Sequence, residues 1–250
     1  MNATSWAADF TDLLLPAGCI SCGLWVPGGA AAALVCARYR TRLKAAPWPR
    51  CERCHFPLGT GRTSDLQCRG CQDWSAALSV ARYAYVLAEP ADDLVHALKY
   101  EGWPELAPLM ASVMTSLPVP HDHRRAIVAP VPTTPQRLRI RGYNQAGLLA
   151  DCYAADRSLP LEELLVRSEA ASSQTSLHPS ERRANVAGTF SVAAGAETVL
   201  AGAHVLLIDD VLTTGATACE AAETLITGGA ERVSLIAYAR ALPDDPLRAR

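Results

Sequence analysis

The sequence has little net charge. Its 250 residues carry a formal charge of -2 at pH 7, so nothing draws the whole chain to a polyanion, and any affinity for nucleic acid has to be local. A long apolar run is missing too. The most hydrophobic early stretch, Ala30 to Val35, falls far short of the ~20 residues that span a bilayer, so no membrane insertion is expected. The first ten residues hold no Lys or Arg, unlike the basic start of a secretory signal, and the chain reads as soluble and cytoplasmic. There is no low-complexity tract, and no internal repeat beyond one cysteine spacing. What remains is a folding composition. Half of the residues are hydrophobic and 19% are charged, which suits a globule of one large domain or a smaller pair.

Nine cysteines are present, and their arrangement argues against disulfides. Seven lie between positions 19 and 71, and six of those form three C-x-x-C pairs. Thiols two residues apart grip a metal well, and in a reducing compartment the metal reading is favoured. Structural zinc takes four thiolates in a tetrahedron, commonly from two such pairs. Cys51–Cys54 and Cys68–Cys71 meet that pattern with thirteen residues between them. Cys19–Cys22 is followed only by Cys36, and Tyr39 stands where a second pair would close. For these three thiols two readings stay open: a site completed by His55 or water, or a packing remnant without metal. One zinc is expected, and a second is left open. Cys152 and Cys219 fall in predicted helices and read as buried structural thiols.

Composition changes sharply near Gln72. Before it the chain is rich in Cys, Arg, Gly and Pro; after it strand-like and helix-like segments alternate. Strands are predicted over Ser79–Val86, Ala126–Val131, Val205–Ile208 and Arg232–Ala239. Helices are predicted over Asp92–Tyr100, along the apolar stripe Leu106–Leu117, from near Asn144, and over Thr217–Ile226. Such alternation implies a parallel sheet. The expected divisions are a Cys-rich zinc-ribbon domain over 1–74, an α/β domain over 75–241 and a tail over 242–250. The polar stretch from Ser168 to Gly188 reads as a long loop, a length that is uncommon unless functional or disordered.

The most informative string is Val205-Leu206-Leu207-Ile208-Asp209-Asp210-Val211-Leu212-Thr213-Thr214-Gly215-Ala216-Thr217. Two acids follow four apolar residues, at the carboxyl end of a predicted buried strand, where open α/β sheets bind ligands. A Thr- and Gly-rich turn then leads into a helix. Its backbone N–H groups and the helix start form an anion cradle, and Gly215 lets the backbone come close. Side-by-side carboxylates can accept bonds from a ribose diol or face a hydrated Mg²⁺. Lys99, ending a predicted helix, reads as a dipole-favoured cap that could also reach a phosphate.

This string closely resembles the PRPP-binding signature of type I phosphoribosyltransferases. Leu98-Lys99-Tyr100-Glu101-Gly102, Pro130-Val131-Pro132, Arg141-Gly142-Tyr143-Asn144-Gln145-Ala146, Gln174 and Glu181-Arg182-Arg183-Ala184-Asn185-Val186 narrow the resemblance to the ComF/GntX group. It covers roughly 19 to 240. The group has an N-terminal Cys-rich zinc ribbon, usually with two sites, from which Tyr39 departs. The resemblance implies an α/β fold: a type I phosphoribosyltransferase-like parallel sheet flanked by helices, with an N-terminal zinc-ribbon domain. It also implies roles. Asp209 and Asp210 would hold the ribose diol at the catalytic centre, with Val211, Thr213, Thr214, Gly215, Ala216 and Thr217 completing the PRPP site around the 5′-phosphate. Arg137, Arg139 and Arg141 would lie on a pyrophosphate-facing loop, where guanidinium forks suit a leaving pyrophosphate. Gln174, Arg182 and Asn185 would sit on a lid. Mg²⁺ would accompany PRPP.

From Cys36 to Cys71, eight Lys/Arg stand against Glu52 and Asp65. Arg38, Arg40, Arg42 and Lys44 are the candidate contacts for single-stranded DNA, with Tyr39, Trp48 and Phe56 as stacking faces. Solvated surface arginines explain the same count. Three functional readings stay open. One is a ComF-like protein of DNA uptake that binds a phosphoribosyl ligand. Another is an active transferase with an unknown acceptor. The last is a non-catalytic regulatory module. No nucleobase-reading motif is present, and the ribbon occupies the place of an acceptor hood, which tilts the reading toward the first. The oligomeric state cannot be read from the sequence.

Overall fold

The computed structural model describes residues 18–24, 26, 34–58, 68–119, 126–168 and 188–242. Its centre is a parallel sheet of four strands in the order β1 (Leu78–Val86), β6 (Arg232–Arg240), β5 (His204–Leu212) and β2 (Ile127–Pro130). These strands are buried on both faces, so they read as near-continuous apolar runs.

Alternate residues of β5 feed two cores. Val205 and Leu207 face one side, which holds α7 (Ala216–Thr227) and the cysteines at 51, 54, 68 and 71. Leu206 and Ile208 face the other, packed with α2 (Ala91–Tyr100), α3 (Ala107–Thr115) and α5 (Gln145–Arg157). Cys19 and Tyr39, from the short helix α1 (Ala37–Arg40) and the chain before it, join this second core. The Cys-rich segment therefore contributes to both faces of the sheet.

Three features differ from the sequence expectations. First, β5 does not stop at Ile208. Asp209, Val211 and Leu212 continue the ladder opposite Ala237, Ala239 and Arg240, because the long neighbouring strand β6 supplies partners that a local pattern does not reveal. Second, Arg137, Arg139 and Arg141 lie on a helix, α4 (Pro135–Arg141), not on a loop. Thr134 caps it by accepting the Arg137 N–H at 3.3 Å, Pro135 opens it, and Gly142 ends it in the left-handed region at φ 81°. Third, β3 (Leu165–Arg167) and β4 (Phe190–Val192) form a separate antiparallel pair, followed by the short helix α6 (Glu197–Leu200). The segment between these strands, 169–187, lies outside the described residues.

The Cys-rich segment is bonded closely to the sheet. Backbone N–H groups of Ala81 and Val86 donate to the carbonyls of Arg53 and Lys44, both at bonding distance (2.8 and 2.7 Å). Arg240, 2% exposed at the end of β6, donates from Nη1 to the Cys54 carbonyl at 2.6 Å and from Nη2 to the Gly70 carbonyl at 2.8 Å. Phe56, Trp74 and Tyr83 surround its guanidinium at 5.1, 5.4 and 5.6 Å. Arg240→Ala would strand both carbonyls and hollow the aromatic cage. It is expected to lower unfolding stability by about 3 kcal/mol or more in urea titrations. Arg240→Lys should recover little, because an ammonium lacks the planar fork that bonds both carbonyls at once.

Candidate functional site

Asp209 and Asp210 stand on consecutive residues of β5, so their side chains start toward opposite faces. The Asp209 carboxylate turns back, accepting the Asp210 N–H at Oδ1 (2.8 Å). Asp210 is buried and pairs with the Lys99 ammonium, Nζ to Oδ2 at 2.6 Å. Burial first, and then the neighbouring Asp210 charge, push the Asp209 carboxyl well above the usual carboxylate range, with Lys99 pulling the other way.

After β5 the chain turns at Thr213 and Thr214, both exposed, and enters α7 at Gly215. Gly215 is left-handed at φ 87°, and an added Cβ would lie 2.5 Å from the Trp74 indole. The position therefore excludes side chains on two grounds, conformation and space. The Trp74 Nε1–H donates to the Thr214 carbonyl at 2.8 Å, which fixes the turn from the Cys-rich side. No side chain caps α7 and no acid stands in its first turn. The Ala216 N–H donates to Thr214 Oγ1 at 3.3 Å, and the N–H groups that follow in the first turn have no partner within the helix.

The segment from Arg141 to Gln145 braces this region. The Tyr143 hydroxyl donates to the Leu98 carbonyl at 2.6 Å, next to Lys99. Asn144 Nδ2 donates to the Val131 carbonyl at 3.1 Å, just past β2. Arg141 donates to Gln145 Oε1 at 2.9 Å and stacks over Tyr100 at 4.8 Å. Arg141 thus joins the Lys99 end of α2, while Arg137 and Arg139 project from the exposed side of α4. Gln174, Arg182 and Asn185 lie outside the described residues.

The sequence reading missed two groups. Lys99 is an ion-pair partner of Asp210 and not merely a helix cap. Arg167, on β3, is a half-buried guanidinium whose Nε has no partner. Burial chiefly lowers its proton affinity, the Arg137 charge adds to that, and Asp209 and Glu220 oppose it. Arg167 therefore sits within electrostatic reach of both the acid pair and α4. Nothing in its local sequence marks it, since its position depends on the β3–β4 pair.

The four thiols of Cys51, Cys54, Cys68 and Cys71 are buried and gathered, with Sγ–Sγ distances of 3.8 Å (Cys51–Cys71) and 3.7 Å (Cys54–Cys68). Ligands ~2.3 Å from a tetrahedral zinc are ~3.8 Å apart, so the spacing fits that ion. Cys19, Cys22 and Cys36 form a second group, with Cys22 and Cys36 sulfurs 3.7 Å apart. His55 does not join them. It follows Cys54, donates its backbone N–H to the Cys51 carbonyl and packs beside the four-thiol group, so this candidate fourth ligand is excluded. Tyr39 turns away as well, its hydroxyl donating to Glu89 at 3.4 Å. Cys152 and Cys219 are half-buried, packed against the two cores.

Of the candidate nucleic-acid residues, Arg42 is ion-paired with Glu89 at 3.0 Å. Arg40 donates to the Val35 carbonyl at 3.0 Å, and Arg38 and Lys44 are exposed. Tyr39 and Phe56 are buried and offer no stacking face, whereas Trp48 is 74% exposed. Among the described residues, no helix is long and apolar enough to cross a membrane.

A four-stranded parallel sheet with an acid pair and a glycine-entered helix at its carboxyl edge defines a phosphoribosyltransferase-like protein. The profile of the phosphoribosyl transferase domain matches residues 148–245. The chain is 30% identical over 224 residues to the DNA utilization protein YhgH of Salmonella typhi, covering 83% of this chain and 89% of that protein. To the same-named protein of Escherichia coli K12 it is 29% identical over 243 residues, covering 88% of this chain and all of the relative. To the competence protein ComFC of Bacillus subtilis it is 26% identical over 202 residues, 78% of this chain and 79% of the relative. The chain belongs to the ComF family of phosphoribosyltransferase-like proteins.

The acid pair has a consequence for stability. A raised Asp209 value means that the folded chain holds a proton which the unfolded chain, at ~3.9, releases sooner. Stability then falls as pH rises from about 4 to the folded value. Asp209→Asn keeps the Oδ1 acceptor and removes that loss. Thermal unfolding should show the variant gaining on the parent at mildly alkaline pH, with the gain shrinking toward pH 4.

Proposed function

We propose that this chain binds PRPP or a related phosphoribosyl ligand and serves DNA uptake, with the Cys-rich segment contacting single-stranded DNA. One arrangement carries the reading: paired Asp209 and Asp210 lead directly into an uncapped, glycine-entered helix start, with Lys99 alongside. A ribose 5-phosphate has complementary parts, a diol that donates to carboxylates and a dianion that suits the turn over Thr213–Thr217. Arg137, Arg139 and Arg141, with the guanidinium of Arg167, supply cationic charge for a pyrophosphate. Gln174, Arg182 and Asn185 are proposed to cover the site.

In this reading Asp209 and Asp210 stabilise the cationic ribosyl centre that develops when pyrophosphate leaves, and the Thr213–Thr217 turn fixes the 5′ end. Mg²⁺, when bound with PRPP, would neutralise phosphate charge. Asp209 and Asp210 are the carboxylates able to face its water shell. Zinc is proposed for the cluster at 51, 54, 68 and 71, as a structural ion with no open position. A second ion would rest on Cys19, Cys22 and Cys36 with a non-protein fourth ligand. Names among the relatives, a DNA utilization protein and a competence protein, support the uptake role. Arg38, Arg40, Arg42 and Lys44 are proposed as the outer contacts to a strand, with Arg42 leaving Glu89 to take part.

Calorimetry with PRPP and Mg²⁺ should give saturable heat that disappears in Asp209→Asn/Asp210→Asn. Absence of heat with the parent chain would remove the ligand from the reading, and pyrophosphate release with candidate acceptors would establish turnover. Metal analysis of the purified chain should give at least one zinc. Cys54→Ser should lower that stoichiometry by about one and destabilise the fold, because the binding energy of such a site is folding energy.

A further inference from the structure

A cleft of about 480 Å³ opens beside the four-thiol cluster and is unassigned by the reading above. It is lined by Trp48, Arg50, Glu52, Arg53, His55 and Arg82, with Cys51, Ser79 and Val80 completing the wall. Three guanidiniums therefore face one carboxylate. Among the described residues, none of these three arginines forms an ion pair.

The side chains of all three donate to backbone carbonyls. Arg53 reaches Ser75 and Leu78 at 2.6 and 2.9 Å, and Arg82 reaches Pro118 and Ala81 at 3.0 and 2.9 Å. Carbonyls fix a guanidinium without neutralising it, so both are held in place as cations, with Arg82 also within electrostatic reach of Cys54, Cys51 and Glu52. Arg50 donates to the Ala46 carbonyl, and its Nε is buried without a partner.

The ring chemistry is as specific as the charge. Trp48 is the exposed aromatic of this segment at 74%, with Arg50 stacked on one side at 4.7 Å and the His55 ring edge-on at 6.2 Å. An indole already braced on one side offers its free face to a second flat group. His55 is 7% exposed, and its Nδ1 is buried without any partner. Its backbone is left-handed at φ 55°, a conformation uncommon outside glycine, held by the Cys51 carbonyl and by the Tyr83 hydroxyl at 2.8 Å. Strain of this kind and an unanswered buried donor or acceptor mark sites where a ligand completes the bonding.

We propose that this cleft is a nucleotide subsite, taking a planar base on Trp48 and its phosphate among Arg50, Arg53 and Arg82. The shared chemistry is one phosphate-bearing nucleotide, either within a single strand or free. The inference deepens the single-strand reading above and rests on it only for the source of that nucleotide. A strand held here would be gripped at the junction of the Cys-rich segment with β1, next to the thiol cluster. Arg38 and Lys44 would be auxiliary contacts.

The test uses the full chain with two probes, thymidine 5′-monophosphate and an oligothymidylate of about 15 residues, near the upper end of common single-strand site sizes. Trp48→Ala and Arg50→Ala alter exposed or rim groups and leave the bracing arginines Arg53 and Arg82 in place. Each should weaken oligonucleotide binding by about tenfold, with Trp48→Phe recovering most of the loss, as a stacking face requires. Competition by the free nucleotide would support the cleft. Binding of the free nucleotide without the strand, lost in the same variants, would also support it while sinking the single-strand reading. Binding of the strand that falls only in Arg38→Ala/Arg40→Ala would overturn the cleft and leave that reading standing. Binding of neither probe would overturn both.

Discussion

The guanidinium of Arg240 joins the two halves of the molecule. It ends a central strand, yet its two terminal nitrogens bond the carbonyls of Cys54 and Gly70, one from each C-x-x-C turn. A buried cation is costly unless it is well bonded and its charge is answered. Here the rings of Phe56, Trp74 and Tyr83 answer part of it. The thiol cluster can answer the rest. A divalent ion held by four thiolates would leave two negative charges, and two buried guanidiniums, Arg82 and Arg240, stand beside that cluster. Without the ion the four thiols cannot all ionise so close together: hydrogen bonds from Cys54 and Cys71 favour the Cys51 thiolate, while Cys71 is pushed up. Arginine burial and the ionisation of the thiol cluster are therefore linked through charge as well as through bonds.

The same contact set reaches the turn before α7. Trp74 lies three residues after Cys71, stacks near Arg240, and donates to the Thr214 carbonyl. Its indole occupies the space that any side chain at Gly215 would need. The cluster, the caged arginine and the Thr213–Gly215 turn thus share one ring. Gly70 is constrained in the same way, because the Phe56 ring lies 2.5 Å from where its Cβ would be. Two glycines at separate loops are thereby fixed by two aromatic residues of one segment, a packing dependence that no local motif would show.

The sheet was legible in the sequence because doubly buried strands leave apolar runs and the helices leave spaced stripes. The Cys51–Cys71 spacing was legible because tetrahedral ligation needs paired thiols. What stayed hidden depends on pairing at a distance. The extension of β5 through Leu212 requires β6 as a partner, and the β3–β4 pair comes from segments too short to show alternation. Lys99 looked like a helix cap because its carboxylate lies more than a hundred positions away. Arg137, Arg139 and Arg141 read as loop residues because Pro135 and Gly142 bound so short a helix. Tyr39 and Phe56 were plausible stacking faces by type, but both are needed in the core, which leaves Trp48 exposed.

Asp209 and Asp210 crowd two carboxyl groups at the edge of the sheet. Lys99 satisfies one acid of the pair, and the other carries a raised proton affinity from burial and its neighbour's charge. An arrangement that disfavours its own charge is stabilised by whatever brings donors to it. In the function proposed above, a ribose diol would bring two hydroxyl donors, and a phosphate would meet the start of α7. The helix start and the crowded carboxylates are both unfavourable features of the chain, and one sugar phosphate would answer both. That convergence is the reason to read the edge of the sheet as a binding site rather than as an acidic strand end.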